Sequence, residues 1–318
     1  MTSQRDTFIS NLFERAKLDK DIFLISVDMG APSLDKWREE LPEQFFAAGI
    51  SEQNAINFAA GLSASGKKVY VYFMACWVAR CFEQIRYSCA MAGNSITILG
   101  NSVGLGYTPA GPAHNPTEDI AYMKSLCGIE IYSPANNAVT KELVNLTCDE
   151  PKLRYIRFER SFPQELESLY LDSKIDSDFL NMGSQIVLYE DGGSGESTIC
   201  IITSGYLLAR AIEVSKILES EGYDVAVVDL YRIKPVELAK LEEYDYDYDL
   251  IVTLEEQTLS GGFGSSVCEL LADSGYKRNV LRIGLPEKYI FENGNREHLL
   301  NTNGLSVTTI CEKITSKL

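Results

Sequence analysis

Short apolar runs alternate with amphipathic segments along this chain, and this alternation restricts the fold more than any other feature. In the first half, the apolar runs cover residues 22–27, 69–73, 96–100, 129–133 and 153–157. Helical patterns lie before the first run, at 3–17, and between later runs, at 52–65 and 79–92. Continuous apolar strands separated by helices are typical of parallel sheets that are buried on both faces. The sequence therefore predicts an α/β protein with mainly parallel sheets flanked by helices.

The length of 318 residues suggests two domains, each large enough to bury its own core. Residues 161–196 have few periodic patterns and contain a Gly-Gly-Ser-Gly cluster at 192–195, which is typical of a connecting segment. Strand and helix patterns then resume, up to a C-terminal helix near 306–317. We predict a first domain over 1–165, a linker over 166–196 and a second α/β domain over 197–318.

The charge balance excludes some classes of partner. The chain carries 45 acidic and 29 basic residues, a formal net charge of −16, which argues against binding to nucleic acid or an anionic membrane. Its eight cysteines include no Cys-x-x-Cys pair, so we expect reduced thiols rather than a metal site. No apolar run approaches the ~20 residues of a membrane span, and the N-terminus lacks a signal-peptide pattern. We expect a cytoplasmic protein.

A glutamate follows a glycine turn at the start of the second predicted helix, in Gly49-Ile50-Ser51-Glu52-Gln53. Ser51 could cap the helix while Glu52 favours its positive N-terminal end. Alternatively, a carboxylate at this edge of the sheet could contact a buried heteroaromatic nitrogen. The residues alone leave both interpretations open.

An arginine lies within the apolar and aromatic segment 73–82, which contains Trp77, Arg80 and Phe82. A core helix would explain the aromatic side chains. It would not explain Arg80, which needs an anionic partner or an aromatic face.

One of the two histidines, His114, lies in a long Gly/Pro-rich loop over residues 104–116. Long loops inside domains are often functional, although a solvated histidine would fit the same pattern. The other histidine, His298, is in a charged segment and is assigned to the surface.

Three arginines lie in and just after the strand predicted at 153–157. Strand alternation places Arg154 and Arg160 on the opposite face from Arg157. An arginine at the end of a strand can hold a phosphate or carboxylate, and a surface ion-pair network is the alternative.

Taken in order, these segments resemble the C-terminal half of transketolase, that is, its pyrimidine-binding domain for thiamine diphosphate followed by its C-terminal domain. The resemblance covers about residues 3–317. It rests on an ordered set of motifs: Ser26-Val27-Asp28-Met29, Gly49-Ile50-Ser51-Glu52-Gln53-Asn54, Gly104-Leu105-Gly106, the segment 111–119, Tyr155-Ile156-Arg157, Leu254-Glu255-Glu256-Gln257, Gly261-Gly262-Phe263-Gly264 and Gly284-Leu285-Pro286.

The resemblance implies a cofactor half-site. Glu52 matches the glutamate that hydrogen-bonds N1′ of the aminopyrimidine, and Trp77 matches the aromatic residue that stacks on that ring. Arg80 and Phe82 match the same pocket in deoxyxylulose phosphate synthases more closely than in transketolase itself. Asp28 matches a residue at the subunit interface near the cofactor.

The resemblance also implies substrate contacts. His114 matches the histidine that hydrogen-bonds the donor's hydroxyls near the carbonyl, and it is counted with Glu52 as catalytic. Arg157 matches a phosphate-binding arginine. Arg5 and Ser33 lie where other phosphate contacts are expected.

Several positions depart from the transketolase pattern. Asn54 replaces a histidine that is usual in this helix, and Gly100 stands where a phosphate-contacting histidine is expected. Residues 107–110 replace the segment that holds an aspartate for a substrate hydroxyl. The cofactor half looks intact while substrate recognition is altered, so we expect a non-standard sugar as donor or acceptor.

The sequence has no Gly-Asp-Gly motif, the signature of the domain that binds diphosphate and Mg²⁺ in this family. The resemblance therefore implies a split transketolase, in which this chain needs a partner of roughly 270 residues and forms a heterotetramer with it. The partner would hold the Mg²⁺, and this chain no metal. Three alternatives stay open: a deoxyxylulose-phosphate-synthase-like half, a 2-oxoacid dehydrogenase E1 β-like subunit, and a non-catalytic paralogue.

Overall fold

Two sheets, one of seven strands and one of five, organise the fold in the computed structural model. The structure describes residues 3–171, 173–189, 197–238, 248–275, 277 and 279–318. The strands are β1 (Ile22–Ser26), β2 (Phe45–Ala47), β3 (Lys68–Met74), β4 (Ile96–Asn101), β5 (Glu130–Tyr132), β6 (Arg154–Phe158), β7 (Gln185–Tyr189), β8 (Thr198–Thr203), β9 (Asp224–Asp229), β10 (Arg232–Lys234), β11 (Leu250–Thr258) and β12 (Asn279–Leu285).

Helices cover both sheets. The α-helices are α1 (Gln4–Ala16), α2 (Pro32–Glu40), α3 (Glu52–Ala64), α4 (Phe82–Gln84), α5 (Asp119–Met123), α6 (Asn137–Asp149), α7 (Ser177–Met182), α8 (Leu207–Ser220), α9 (Phe263–Asp273), α10 (Arg296–Leu300) and α11 (Val307–Thr315). Shorter 3₁₀ turns lie at Pro42–Gln44, Ala75–Cys81, Thr108–Ala110, Pro112–His114 and Gln164–Ser168, and π-helical turns at Ile85–Met91 and Asn301–Leu305.

The first sheet has the strand order β10-β5-β6-β4-β3-β1-β2, and the second has β12-β11-β8-β9-β7. Every pairing is parallel except those of two edge strands, β10 with β5 and β7 with β9. The predicted α/β class with mainly parallel, helix-flanked sheets is confirmed.

Alternation along β3 shows why the first sheet is buried on both faces. Val71 and Phe73 pack into the core that contains α3, whereas Tyr70 and Tyr72 pack into the core that contains α1. These four side chains are at most 1% exposed. Both faces must therefore be covered by helices, as is usual for parallel sheets.

Some elements differ from the sequence pattern. The helix predicted at 79–92 is instead three short pieces: the 3₁₀ turn Ala75–Cys81, α4 and the π-helical turn Ile85–Met91. The segment predicted as a linker contains α7 and β7, and β7 pairs with β9 at the edge of the second sheet. The pattern also gave no sign of β10, which lies within the sequence range of the predicted second domain but joins the first sheet.

The glycine cluster at 192–195 lies outside the described residues. The sequence pattern also predicts a short helix at 236–241 and an acidic-aromatic turn at 244–249, and both lie partly outside the described residues. Within the described ranges, no helix has the length and apolar character needed to cross a membrane.

Candidate active site

A buried carboxylate marks the N-terminal end of α3. The chain enters the helix through a turn at Gly49, whose φ of +66° lies in the left-handed region that favours glycine. Glu52 is the first residue of the helix and is only 3% exposed. Ser51 does not cap the helix with its side chain, as one interpretation expected; its hydroxyl donates to the carbonyl oxygen of Ala48 at 2.6 Å. The carboxylate of Glu52 is thus shielded from water and close to the positive end of the helix dipole.

Arg80 connects this carboxylate to an indole ring. Its Nη1 donates to Oε2 of Glu52 at 3.0 Å, and its guanidinium carbon lies 4.7 Å from the centre of the Trp77 ring. The sequence required an anionic partner or an aromatic face for Arg80, and the structure provides both. The 3₁₀ turn Ala75–Cys81 places Trp77 and Arg80 together beside α3.

Aromatic contacts extend this arrangement into the long loop. The ring of His114 meets the Trp77 ring edge-on, with 5.2 Å between the ring centroids. The ring centroids of Tyr107 and His114 are 5.8 Å apart. Arg160 lies over the ring of Tyr107 at 4.3 Å. We refer to Glu52, Arg80, Trp77, His114, Tyr107 and Arg160 as the active-site row.

The imidazole of His114 has an unused polar atom. Its Nδ1 is buried and has no hydrogen-bond partner within the described part of the chain. A buried polar atom without a partner costs free energy unless something else binds it. Nδ1 of His114 is therefore a candidate contact for a ligand.

Phe82 lies beside the row but is turned towards the core. It is half-buried, packs against the core of the first sheet, and meets Tyr122 edge-on with centroids 6.3 Å apart.

Arg157 lies inside the protein, and its polar contacts are with residues outside the active-site row. Its Nε donates to Oδ2 of Asp119 at 2.7 Å and its Nη2 to Oδ1 at 3.1 Å, while Nη1 donates to Oγ of Ser133 at 3.1 Å. Tyr155 also donates to Oδ2 of Asp119, at 2.8 Å. Burial opposes the charged form of Arg157, but the Asp119 carboxylate outweighs it and raises the pKa of the guanidinium. Through Asp119, this network links the segment just after the His114 loop to Tyr155 and Arg157 of β6.

Arg5 and Ser33 are brought together through a shared carboxylate. Arg5 Nη2 donates to Oδ2 of Asp6 at 2.8 Å, and the Ser33 hydroxyl donates to Oδ1 at 2.7 Å. Partial burial alone would raise the pKa of Asp6, but these hydrogen bonds outweigh burial and lower it. Asp28 is exposed just after β1, with a φ of +43° that is unusual for a residue with a side chain.

Gly100 has a structural explanation. An added Cβ would lie 2.6 Å from Cε2 of Tyr155, too close for any side chain without displacement. The Tyr155 ring thus occupies the space where the resemblance leads one to expect a histidine.

Tyr107 and Arg160 join the row although the sequence interpretation did not select them as site residues. The one sequence signal for Arg160 was strand alternation, which places it on the opposite face of the strand from Arg157. No group of three His, Cys, Asp or Glu side chains able to hold a metal occurs among the residues that the structure describes.

Comparison with known proteins identifies the family to which this fold belongs. Residues 3–163 match the family model "Transketolase, pyrimidine binding domain", and residues 193–310 match "Transketolase, C-terminal domain". The fold is therefore that of the pyrimidine-binding and C-terminal halves of a thiamine-dependent enzyme family.

Individual relatives agree. A subunit of the apulose-4-phosphate transketolase of Phocaeicola vulgatus is 32% identical over 314 residues, which cover 98% of this chain and 96% of that protein. A solved split-gene transketolase, described as an inactive beta4 tetramer, is 28% identical and superposes with a TM-score of 0.84. The match covers 100% of this chain and 99% of that chain. The 1-deoxy-D-xylulose-5-phosphate synthase of Chlorobium phaeovibrioides is 28% identical across 98% of this chain, which spans only 47% of that relative. The chain belongs to the transketolase family.

Proposed function

We propose that this chain is one subunit of a thiamine diphosphate-dependent transketolase that moves a two-carbon ketol unit from a ketose to an aldose. The observation that carries the proposal is the active-site row, in which Arg80 links the shielded Glu52 carboxylate to the Trp77 indole. The indole in turn contacts the imidazole of His114, whose Nδ1 has no partner in the part of the chain that the structure describes.

The residues present fit the aminopyrimidine part of thiamine diphosphate. Glu52 supplies a buried carboxylate, and because Arg80 engages its Oε2, we assign Oε1 to the ring nitrogen. Trp77 supplies a half-buried aromatic ring for stacking. When bound, the cofactor supplies the carbon nucleophile and electron sink for cleavage next to a ketose carbonyl.

On this proposal, the row's residues bind and polarise rather than react. Glu52 shares a proton with the ring nitrogen, and its carboxyl group is shielded from water, which is where electrostatic stabilisation is most effective. His114 directs Nδ1, which no described residue engages, at a donor hydroxyl or carbonyl oxygen. Phe82 and Asp28 stay predictions for the cofactor pocket, the latter at a subunit interface.

Arg160 is our candidate for the substrate's anionic group. It is exposed, and it lies over Tyr107, which is in contact with His114. The phosphate contacts predicted at Arg5, Ser33 and Arg157 stay predictions, and each of these side chains is already engaged by Asp6 or Asp119.

A non-standard sugar is supported by the loop's composition. Tyr107 lies in the segment that departs from the transketolase pattern, and it packs directly on His114. The relative from Phocaeicola vulgatus is named for apulose 4-phosphate. A panel of ketose donors tests the point, and a strong preference for xylulose 5-phosphate over all other donors would reject it.

We further propose that activity requires a partner subunit that carries the diphosphate and Mg²⁺ site, in a cytoplasmic heterotetramer. Exposed apolar side chains lie just before α3, on α3 and on the π-helical turn Ile85–Met91 that contacts it, which is consistent with a docking surface: Phe46, Ile50, Phe58, Tyr87 and Met91. The relative from Phocaeicola vulgatus is named as one subunit of its enzyme, and the split-gene relative described as a beta4 tetramer is inactive.

The direct test is Glu52→Gln in the complex reconstituted with the partner. We expect turnover to fall on the order of 10²–10⁴-fold, because the amide no longer carries the carboxyl proton. Glu312→Gln, which changes an exposed glutamate of α11, is the matched control and should leave turnover unchanged. Unchanged turnover for Glu52→Gln would remove the proposed role, and turnover by this chain alone would remove the need for a partner.

A deoxyxylulose-phosphate-synthase-like half is the second candidate, because two such synthases match 98% of the chain and the sequence around Arg80 and Phe82 resembles their pocket. Pyruvate offered with each candidate aldehyde distinguishes the two reactions. Release of carbon dioxide would favour the synthase and reject the transketolase assignment.

A further inference from the structure

Two residues of β11, in the second domain, hold the ends of the loop that carries His114. At its start, Oε1 of Glu256 accepts a hydrogen bond from the backbone N–H of Leu105 at 2.8 Å. At its end, the backbone N–H of Thr258 donates to the carbonyl oxygen of Thr117 at 3.0 Å. The loop therefore belongs to the first domain in sequence but depends on the second for its position.

The Glu256 carboxylate is itself fixed. Arg296 donates to it through Nε at 2.9 Å, and Nη1 of Arg296 pairs with Oε2 of Glu159, at the end of β6, at 2.7 Å. The guanidinium also lies over the Tyr206 ring at 3.7 Å. Glu256 and Arg296 are both almost fully buried, so their geometry is held in a site with little water to weaken the charge pair.

The contact is also sterically close. Gly104 has a φ of +57°, and a Cβ at this position would lie 2.9 Å from Cδ of Glu256. Glycine at 104 is therefore required both by its backbone conformation and by the approach of the carboxylate.

We propose that Glu256, held by Arg296, is a positioning residue that sets the placement of His114 in the active-site row. The inference rests on the proposed function, in which His114 contacts substrate. Glu256 acts through the backbone of the loop rather than through a member of the row. Small displacements of a substrate-orienting group reduce rate steeply, so the second domain takes part in catalysis by holding this loop.

The first test reads the position of the loop in the full chain without its partner. His114 packs against Trp77, so loosening the loop exposes the indole to a soluble quencher. Acrylamide quenching is measured in the native chain and in Glu256→Ala, each with and without Trp77→Phe, so that the difference isolates Trp77 from the buried Trp37. We expect Glu256→Ala to raise the quenching of Trp77. Glu256→Gln keeps an acceptor oxygen for the Leu105 N–H, so its quenching should stay closer to the native value.

Glu255→Ala is the matched control. Glu255 is the preceding residue on the same strand and is also buried, but its carboxylate lies against Gly262 and Gly264 rather than against the loop. It should affect stability without changing the quenching of Trp77. If Glu256→Ala fails to fold, Gly104→Ala disturbs the same contact from the other side and should raise quenching. Unchanged quenching in a folded Glu256→Ala or Gly104→Ala chain would overturn the proposal.

The second test is a double-mutant cycle in the reconstituted complex. Glu256→Ala should lower kcat/KM on the order of 10- to 100-fold while thiamine diphosphate affinity holds, since Glu52 and Trp77 are untouched. In a His114→Ala background, the same substitution should cause almost no further loss. Equal losses in both backgrounds would mean a structural role only and would overturn the proposal. If His114→Ala does not change turnover, the proposed role of His114 is wrong, and the quenching experiment still decides whether Glu256 positions the loop.

Discussion

The buried ion pair between Arg157 and Asp119 allows a sharp test of one predicted site residue. The sequence pattern suggests that Arg157 binds a phosphate, whereas the structure surrounds its guanidinium with Asp119 and Ser133 and leaves it 2% exposed. Replacing Arg157 by methionine leaves the Asp119 carboxylate buried without its cation. Breaking a buried pair in this way costs about 3–5 kcal/mol, so we expect a loss of that size in the free energy of unfolding.

Two further variants make the reasoning specific. In the double variant Arg157→Met/Asp119→Asn, the side-chain amide at position 119 is neutral and can still accept a hydrogen bond from the Tyr155 hydroxyl. Most of the lost stability should therefore return. Arg160→Met changes an exposed arginine, and the unfolding free energy should change by less than about 0.5 kcal/mol. Its effect should instead be a raised KM for phosphorylated donors in the complex.

The assays are urea unfolding followed by circular dichroism at pH 7, and KM for matched phosphorylated and unphosphorylated ketoses. The structural reasoning fails if Arg157→Met unfolds at the native urea concentration and raises KM for the phosphorylated donor alone. That result would support the phosphate contact suggested by the sequence.

Two other predictions follow from buried groups. Burial raises the pKa of Asp229 to about 7, and Tyr170 donates to it at 2.8 Å. Between the ordinary pKa and this value the folded state keeps a proton that the unfolded state releases, so stability falls as pH rises, by up to about 4 kcal/mol. Asp229→Asn should remove that part of the pH slope in urea unfolding from pH 5 to 8, and equal slopes would contradict it. Of the free cysteines, Cys127 is exposed while burial raises the pKa of Cys76 and Cys89 to about 12. A thiol reagent at neutral pH should label Cys127 first, as peptide mapping would show, and faster labelling at Cys89 would refute this.

The fold class was predictable because each buried strand must be apolar along its whole length. Residues 69–73 and 96–100 show this clearly, and the structure extends those strands by only one or two residues. Short edge strands carry a weaker signal. β10 spans Arg232–Lys234, and two of its three residues are charged, so no local pattern reveals its pairing with β5.

The candidate site was predictable in part. Arg80 could be identified because an isolated arginine in an apolar segment requires a partner, and the structure supplies Glu52 and Trp77. The surroundings of Arg157 could not be predicted, because its partner Asp119 is 38 residues away in sequence. Long-range pairs of this kind depend on how the loop returns to the sheet, which periodicity does not encode.

The strand β10 has a consequence for how such a protein can evolve. It pairs antiparallel with β5, so the edge of the first sheet is completed by residues from beyond β9. A recombination event that exchanged everything after residue 196 would also exchange this edge strand. The incoming segment would have to match the backbone of β5, or leave an unpaired edge that invites aggregation. We therefore expect the two domains to be inherited together, the more so because one buried core cluster contains both Val71 of β3 and Ile202 of β8.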